Sequence, residues 1–361
     1  MPTLFDPIRL GALQARNRIF MAPLTRGRST RDHVPVAMMA EYYRQRASAG
    51  LIISEATGIS PQGLGWPYAP GLWTDAQTEA WQPVTAAVHG EGGLIVAQLW
   101  HMGRINHPSL PGRGQPVSSS ATTPPGLAHT YEGKQPYVEA RALRVDELPG
   151  ILDDYRTAAR NALAAGFDGV QVHAANGYLI DQFLRDGANH RTDRYGGSIE
   201  NRIRLLDEVV DAVIGVVGRE RTGVRLSPNG DSQGVNDSAP EALFRAVATM
   251  LAGKGIAFLE LREPGPDGTR GKPDRPPLAP GIKQAFGGPL VLNSDYDGPK
   301  GTAALAEGRA DAIAFGRAFL ANPDLPRRIA EDLPLNPDDM ETWYSRGPEG
   351  YTDYPAAAKA A

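Results

Sequence analysis

Short apolar runs alternate with longer segments of helical periodicity along almost the whole chain. Residues 51–56 (Leu-Ile-Ile-Ser-Glu-Ala) and 169–172 (Gly-Val-Gln-Val) are examples of the short runs. Runs of this length that are rich in β-branched residues are typical of buried strands, and the segments between them are typical of amphipathic helices. Because parallel strands must be joined by long crossovers, this alternation predicts βαβ units around one parallel sheet.

The repeated unit occurs eight times, which predicts an α/β fold closed into a single (β/α)8 TIM barrel. The predicted strands are 17–21, 51–56, 93–98, 169–172, 222–226, 257–261, 290–292 and 312–314. The predicted helices are 36–46, 75–90, 147–165, 199–217, 240–251, 279–286, 298–307 and 322–331, with Asp75 and Ser198 as N-caps. A doubly wound open sheet is the alternative, but its Gly-x-Gly-x-x-Gly turn is missing after the first strand.

Two segments depart from the repeat. Residues 1–17 hold short apolar pieces broken by Pro7 and Gly11, which predicts a small amino-terminal hairpin. Residues 102–144, after the third strand, are rich in Pro, Gly and Ser, and a connection of this length is usually functional. We therefore expect one domain over residues 1–361, with 102–144 inserted as a lid over the barrel.

Composition excludes several classes of protein. A net charge of −4 without a basic stripe argues against nucleic-acid binding. The chain contains no cysteine, which removes disulfides, thiolate nucleophiles, zinc ribbons and iron–sulfur clusters. No secretory signal and no apolar run of about 18 residues is visible, so we expect a cytoplasmic protein without a membrane partner.

Residues 173–202 follow the fourth predicted strand and carry the strongest chemical signal. His173, Asn176 and Tyr178 leave the strand together at its carboxyl end, where TIM barrels build their active sites. A His and an Asn that donate together can hold a substrate oxygen, and a phenol can deliver a proton. The alternative is that these side chains only satisfy backbone groups in a loop.

This stretch closely resembles the Old Yellow Enzyme family of flavin-dependent ene-reductases, in particular its bacterial N-ethylmaleimide and 2-cyclohexenone reductase-like branch. The likeness runs from about Leu4 to Tyr354. It implies FMN as cofactor, NAD(P)H as reductant, and enones, maleimides or nitroalkenes as substrates of a monomer or weak homo-oligomer. In this resemblance His173 and Asn176 bind the activating oxygen, and Tyr178 protonates the α-carbon.

The same resemblance implies a set of flavin contacts. Thr25 would bond the isoalloxazine edge, Gln98 the pyrimidine, and Arg225 the N1 and C2 carbonyl region. The full set is Pro23, Leu24, Thr25, Ala56, Gln98, Arg225, Asn293, Ser294, Asp295, Gly316 and Arg317.

At two of these positions the residue type itself also limits the possible role. A cation inside an apolar strand needs an anionic partner, so Arg225 could instead form a buried ion pair with a carboxylate. Asp295 is unfavourable beside a phosphate unless its carboxylate points away. The sequence therefore does not decide which backbone amides bind the phosphate.

Four further residues resemble the family's substrate contacts: Tyr68, Trp100, Gln233 and Tyr351. Aromatic loop residues often only pack, which is the alternative for each.

Other functions fit the sequence less well. A Schiff-base enzyme needs a lysine in the barrel mouth, and none lies at the carboxyl end of a predicted strand. The lysines are Lys134, Lys254, Lys272, Lys283, Lys300 and Lys359. A metal-dependent hydrolase would need His and carboxylate residues at ligand spacing, which the sequence lacks. The dienoyl-reductase branch is excluded by the missing cysteine, and a flavin-storage protein would not need His173, Asn176 and Tyr178.

Overall fold

A hairpin precedes a closed barrel in the structure, a computed structural model that describes residues 1–110, 114–230, 232–264, 273 and 275–358. Its strands are β1 (Ile8–Leu10), β2 (Leu13–Ala15), β3 (Ile19–Met21), β4 (Ile52–Ile53), β5 (Thr57–Gly58), β6 (Ile95–Trp100), β7 (Val117–Ser118), β8 (Leu127–Thr130), β9 (Gly133–Pro136), β10 (Arg141–Ala142), β11 (Gly169–His173), β12 (Thr222–Leu226), β13 (Phe258–Arg262), β14 (Leu290–Asn293) and β15 (Ala312–Phe315). Its helices are α1 (Ala37–Gln45), α2 (Asp75–Gly90), α3 (Leu148–Ala164), α4 (Leu179–Leu184), α5 (Ile199–Val217), α6 (Pro240–Lys254), α7 (Ala279–Phe286), α8 (Gly298–Ala306), α9 (Arg317–Ala321) and α10 (Leu325–Ala330).

Eight parallel strands form the barrel, in the order β3, β4, β6, β11, β12, β13, β14 and β15, and β15 pairs with β3 to close it. The predicted TIM barrel and its amino-terminal hairpin are confirmed. Side chains alternate between the two faces of each strand. On β3, Ile19 and Met21 pack toward the helices, whereas Phe20 packs into the barrel interior.

The hairpin of β1 and β2 closes the amino-terminal end of the barrel. The Ala12 N–H donates to the Glu220 carbonyl at 2.9 Å, just before β12 begins. Leu10 and Leu13 pack in one apolar cluster with Phe20 and other inward-facing barrel residues. One end of the barrel is therefore filled with apolar side chains, which leaves the carboxyl end for the site.

Most predicted elements form within one or two residues of the expected bounds, and Ser198 caps α5 by accepting from the Asn201 N–H. The predicted cap of α2 is wrong: Thr74, not Asp75, is the N-cap. Thr74 is extended, and its side chain and that of Gln77 exchange hydrogen bonds with each other's backbone N–H, which is a capping box. Asp75 is the first helical residue.

Two other predictions need correction. The strand predicted at 51–56 forms only as β4, and the helix predicted at 322–331 forms only as α10; β5 and α9 lie outside the predicted ranges. Asn322, between α9 and α10, is extended and precedes Pro323. A residue before proline is driven out of the helical region, so the helix cannot begin at Asn322.

The excursion after β6 is built from short strand pairs in its described part. β7 pairs with β10 in parallel, and β8 with β9 as an antiparallel hairpin. The Ser118 hydroxyl donates to the Gln182 side chain at 2.8 Å, which fastens this segment to α4. No helix in the described ranges is long and apolar enough to cross a membrane.

Candidate active site

A cavity of about 570 Å³ opens at the carboxyl end of the barrel strands. Its lining residues lie at or after the carboxyl ends of seven of the eight strands and also include part of the carboxyl-terminal segment. They are Pro23, Leu24, Thr25, Arg26, Trp66, Trp100, Asn176, Tyr178, Arg262, Asn293, Ser294, Asp295, Tyr296, Lys300, Ala314, Gly316, Arg317, Ala318, Leu320, Asp338, Trp343 and Tyr344. The volume lies within the range of small-molecule and cofactor sites.

His173 is the last residue of β11, and one of its ring nitrogens is fixed as an acceptor. The Ala175 N–H donates to His173 Nδ1 at 3.3 Å, so the neutral ring carries its proton on Nε2. Burial, assisted by the Arg225 charge, lowers the pKa of His173 well below its ordinary value. The imidazole is therefore a neutral donor through Nε2.

Asn176 lies in a tight turn between β11 and α4. Asn176 and Gly177 have φ values of 59° and 77°, and Asn tolerates this left-handed region better than most residues. The Asn176 N–H donates to Ser227 Oγ at 2.7 Å, and the Gly177 N–H to Asp181 Oδ2 at 2.9 Å. Arg262 Nη1 donates to Asn176 Oδ1 at 3.4 Å, so the NH2 group of the Asn176 amide points away from the guanidinium.

Tyr178 stands edge-on to Trp100, with ring centroids 4.9 Å apart. Burial raises the pKa of its phenol above the ordinary value, although a hydrogen bond with Gln233 opposes the shift. Gln233 also donates to the Asn176 carbonyl at 2.8 Å, so it supports the turn that carries both residues. At neutral pH the Tyr178 phenol retains its proton and is available as an acid.

Arg225 has the carboxylate partner that its strand position predicts. Its Nε lies 3.1 Å from Glu260 Oε1 on the neighbouring strand β13. Its Nη2 donates to Asn293 Oδ1 at 2.7 Å, and the Asn293 amide donates in turn to the Ala314 carbonyl at 2.7 Å. The guanidinium is thus held from two sides below the cavity.

The turn after β14 carries two residues with positive φ, Ser294 at 128° and Asp295 at 49°. The Asp295 carboxylate forms an ion pair with Arg317, which follows β15. Gly316 directly follows β15, and a side-chain carbon added there would meet only Leu24 within 4 Å, at 3.6 Å, so the space above Gly316 is open. A bound anion would compete with Asp295 for Arg317.

Not every predicted site residue reaches the cavity wall. Tyr351 is fully buried and stacks on Tyr42, with ring centroids 4.0 Å apart. Tyr68 lies between Tyr131 and the guanidinium of Arg346, which is 3.4 Å from its ring centroid. These two tyrosines pack outside the lining set, whereas Ala56, Gln98, His173 and Arg225 are buried at the strand ends.

Several lining residues were not predicted from the sequence. Trp66 and Tyr344 contact each other, with ring centroids 5.2 Å apart, and Trp66 packs on His129 of β8 at 4.3 Å. The excursion therefore supports one wall of the cavity. Arg262 could have been found, because Glu260 and Arg262 are charged residues within an apolar strand, the same signal as Arg225.

Lysines were expected to lie away from the barrel mouth. Lys300 does line the cavity, but from α8 rather than from a strand end, and its ammonium lies 3.9 Å from Asp297. Lys272 and Lys359 lie outside the described residues.

Two buried arginines join the turn after β3 to the end of the chain. Arg26 donates to the Trp343 and Gly350 carbonyls at 3.1 and 2.5 Å. Arg28 donates to the Trp343 and Thr342 carbonyls at 2.6 and 2.9 Å. This arginine clamp, Arg26 and Arg28, holds Trp343 at the cavity wall.

Residues 3–336 match the NADH:flavin oxidoreductase / NADH oxidase family. The chain belongs to this family. The structure of the Old Yellow Enzyme homologue from Zymomonas mobilis is similar over 98% of this chain and 99% of that one, with 65% identity and a TM-score of 0.97. The structure of morphinone reductase covers 99% of this chain and 96% of that one, with 47% identity and a TM-score of 0.94. 12-Oxophytodienoate reductase 1 of Oryza sativa subsp. japonica is 45% identical over 98% of this chain and 92% of its own.

As a family member, the protein is an FMN-dependent NAD(P)H oxidoreductase of the Old Yellow Enzyme type, an ene-reductase. The residues present fit this cofactor. Gln98 and Arg225 are buried polar groups at the strand ends, and Arg317 and Lys300 place cations at the cavity beside the turn after β14. Trp100 Nε1 is a buried donor without a hydrogen-bond acceptor in the described part of the chain. Such a group is rarely left unpaired unless a ligand or water meets it.

Proposed function

We propose that this oxidoreductase reduces the activated C=C bond of α,β-unsaturated carbonyls, maleimides and nitroalkenes. The observation that carries the proposal is that Asn176 and Tyr178 line the cavity and that His173, at the end of β11, packs against Tyr178. Two neutral donors and one protonated acid are the groups that such a reduction requires. When bound, FMN supplies the hydride that the β-carbon of the alkene accepts.

His173 and Asn176 are proposed to hold the carbonyl, imide or nitro oxygen of the substrate. His173 donates through Nε2, because Nδ1 already accepts from the Ala175 N–H. Asn176 donates through its NH2, because its oxygen faces Arg262. Both donors polarise the double bond and stabilise the negative charge that develops on the oxygen, without a change in their own protonation.

Tyr178 is proposed to protonate the α-carbon. Its raised pKa keeps the proton on the phenol at neutral pH, and its place on the cavity lining exposes it to the substrate. Trp100 is proposed to form a wall of the substrate pocket, and Gln233 to support the turn. We propose that Tyr68 and Tyr351 support this region from outside and do not contact the substrate.

The cofactor is proposed to lie between three groups of residues. Pro23, Leu24, Thr25 and Ala56 would contact the ring system, and Gln98 and Arg225 its pyrimidine edge. The phosphate would lie at Asn293, Ser294, Asp295, Gly316 and Arg317, where the open space at Gly316 adjoins an arginine. Arginine binds phosphate with two parallel hydrogen bonds, so Arg317 is the residue best suited to hold it.

The organisation of the whole chain is also proposed. We infer one domain over residues 1–361, with 102–144 lying over the barrel, and a cytoplasmic monomer or weak homo-oligomer that acts on small molecules. The packing of His129 on Trp66 supports the lid, because it joins the excursion to the cavity lining.

The test is enone-dependent consumption of NADPH by the purified flavoprotein. We expect a yellow protein that releases FMN on denaturation and oxidises NADPH rapidly only when 2-cyclohexenone is present. The double variant His173→Ala, Asn176→Ala should keep its flavin spectrum and lose the enone-dependent rate. A fully flavinated wild-type protein with no enone-dependent rate would contradict the proposal and favour a flavin-storage role.

A further inference from the structure

A continuous chain of polar side chains crosses the barrel interior below the cavity. Gln98 donates to Gln171 at 2.7 Å, and Gln171 donates to Glu260 Oε2 at 2.7 Å. The other oxygen of Glu260 lies 3.1 Å from Arg225 Nε, and Arg225 donates to Asn293 at 2.7 Å. One carboxylate therefore contacts, directly or through one glutamine, both residues that are assigned to the flavin pyrimidine.

Glu260 is the central member of this chain and has no exposed surface. A charge in a barrel interior is costly, and a buried ion pair rarely stabilises a fold more than apolar residues of the same size would. Glu260 neutralises the buried Arg225, but stability alone gives no reason to place the ion pair itself in the barrel. The two oxygens of Glu260 instead fix the position of one cation and one amide, each of which lies in a different strand.

We propose that Glu260 is a positioning residue that aligns Arg225 and Gln98 toward the cofactor and sets the reduction potential of the site. The inference rests on the proposed function, in which these two side chains meet the flavin pyrimidine. Gln171 connects Glu260 to Gln98. Its side-chain oxygen accepts a hydrogen bond from Gln98, and its NH2 group donates one to Glu260.

The negative charge of Glu260 determines the direction in which it shifts the reduction potential. Reduction adds negative charge to the flavin ring, which the guanidinium of Arg225 favours and a nearby carboxylate opposes. Glu260 therefore partly offsets Arg225 and keeps the potential lower than a lone arginine would. A lower potential makes the reduced site a better donor toward a weakly activated alkene.

The test is the midpoint potential of Glu260→Gln, which removes the charge and keeps an acceptor for Gln171. Glu263→Gln is the matched control: Glu263 follows the same strand and is also partly buried, but it accepts from the Leu278 and Ala279 N–H groups. We expect Glu260→Gln to favour reduced over oxidised FMN on the order of tenfold more than wild type does. For a two-electron couple this is a rise of about 30 mV. Glu263→Gln should keep the wild-type potential.

Two outcomes separate this inference from the proposed function. If Glu260→Gln folds, binds FMN and shows the wild-type potential, the inference is overturned, while wild-type turnover of 2-cyclohexenone leaves the proposed function intact. If wild type itself turns over no enone, the proposed function fails, and the potential shift still decides the role of Glu260.

If Glu260→Gln does not fold, the variant Gln171→Met tests whether the polar chain aligns Gln98. This variant leaves the pair of Glu260 and Arg225 in place and removes the acceptor of Gln98. We expect it to fold with a lower melting temperature, because Gln98 and Glu260 each lose a buried hydrogen-bond partner, and its Kd for FMN to rise several-fold. An unchanged Kd for FMN would overturn the inference that the chain aligns Gln98.

Discussion

Tyr178 stands edge-on to His173, with ring centroids 5.0 Å apart and ring planes at 87°. Edge-to-face contacts fix two aromatic rings relative to each other without a hydrogen bond between their polar atoms. The imidazole and the phenol are therefore placed together but act independently. Removal of either polar group should affect a different part of the proposed reaction.

Loss of the imidazole should reduce activation of the substrate. We expect His173→Ala to slow reoxidation of the reduced enzyme by 2-cyclohexenone by about 10²- to 10³-fold, the usual effect of removing one donor to a developing oxyanion. The melting temperature of His173→Ala should fall only slightly, because the loss of rate is not caused by a loss of stability. Stopped-flow reoxidation and a thermal melt on the same preparation measure both.

The companion variant Asn176→His tests the same oxygen site from its other side. Histidine tolerates the positive φ of 59° at this position better than most residues, and its ring still donates. We expect retained activity with a changed preference among enones. A rate as low as that of His173→Ala would show that the amide geometry, not donation alone, is required.

Loss of the phenol oxygen should separate the two half-reactions. Tyr178→Phe keeps the ring that packs on Trp100 and His173 and removes only the acid. We expect reduction of the flavin by NADPH to stay near the wild-type rate and reoxidation by cyclohexenone to slow by about 10²- to 10⁴-fold. The loss should be smaller with a nitroalkene, whose nitronate can be protonated in water. Equal slowing of both halves would assign Tyr178 to pocket shape instead.

The rate of reoxidation should be nearly independent of pH between about pH 6.5 and 9. The pKa of His173 is lowered by burial, so the ring is neutral above the ordinary histidine pKa of about 6.5 and gains a proton only when pH falls further. The pKa of Tyr178 is raised by burial, so the phenol keeps its proton beyond its ordinary pKa of about 10. An inflection within this window that disappears in Tyr178→Phe would contradict the assignment.

Asp295 should weaken cofactor binding in wild type, because its carboxylate pairs with Arg317 and repels a phosphate. We expect Asp295→Asn to lower the Kd for FMN several-fold and Arg317→Met to raise it by more, as measured by titration of the apoprotein. Asp153→Asn is the control, since Asp153 also pairs with an arginine, Arg156, but on α3 and away from the cavity. Weaker binding by Asp295→Asn would mean that the carboxylate orders the turn.

Sequence reasoning predicted the barrel well because its signal is local and repeated. The bounds of α5, α7 and β12 agree with the predicted ranges, since each has a clear apolar period and a clear end. The misplaced cap of α2 shows the limit: Thr74 and Asp75 are both good caps, and only the position of Gln77 three residues after Thr74 decides between them.

Candidate site residues could be proposed where a residue type is out of place, and could not where the contacts are distant in sequence. Arg225 was singled out because a cation is unusual in an apolar strand, and Glu260 carries the same signal. Tyr351 looked like a substrate contact, but its ring is stacked on Tyr42 at the core. No local pattern could reveal that contact, because it joins residues 309 positions apart in the chain.

The arginine clamp has a consequence for how the protein is made. Arg26 and Arg28 leave the ribosome more than 300 residues before the carbonyls that they bind, which belong to Thr342, Trp343 and Gly350. A nascent chain therefore exposes two guanidinium groups without these acceptors until residues 342–350 have been made. The wall of the flavin pocket that Trp343 forms cannot be completed earlier, so cofactor capture should wait for this segment. Nascent chains that stop at residue 340 should retain no flavin, whereas chains that contain residues 342–350 should.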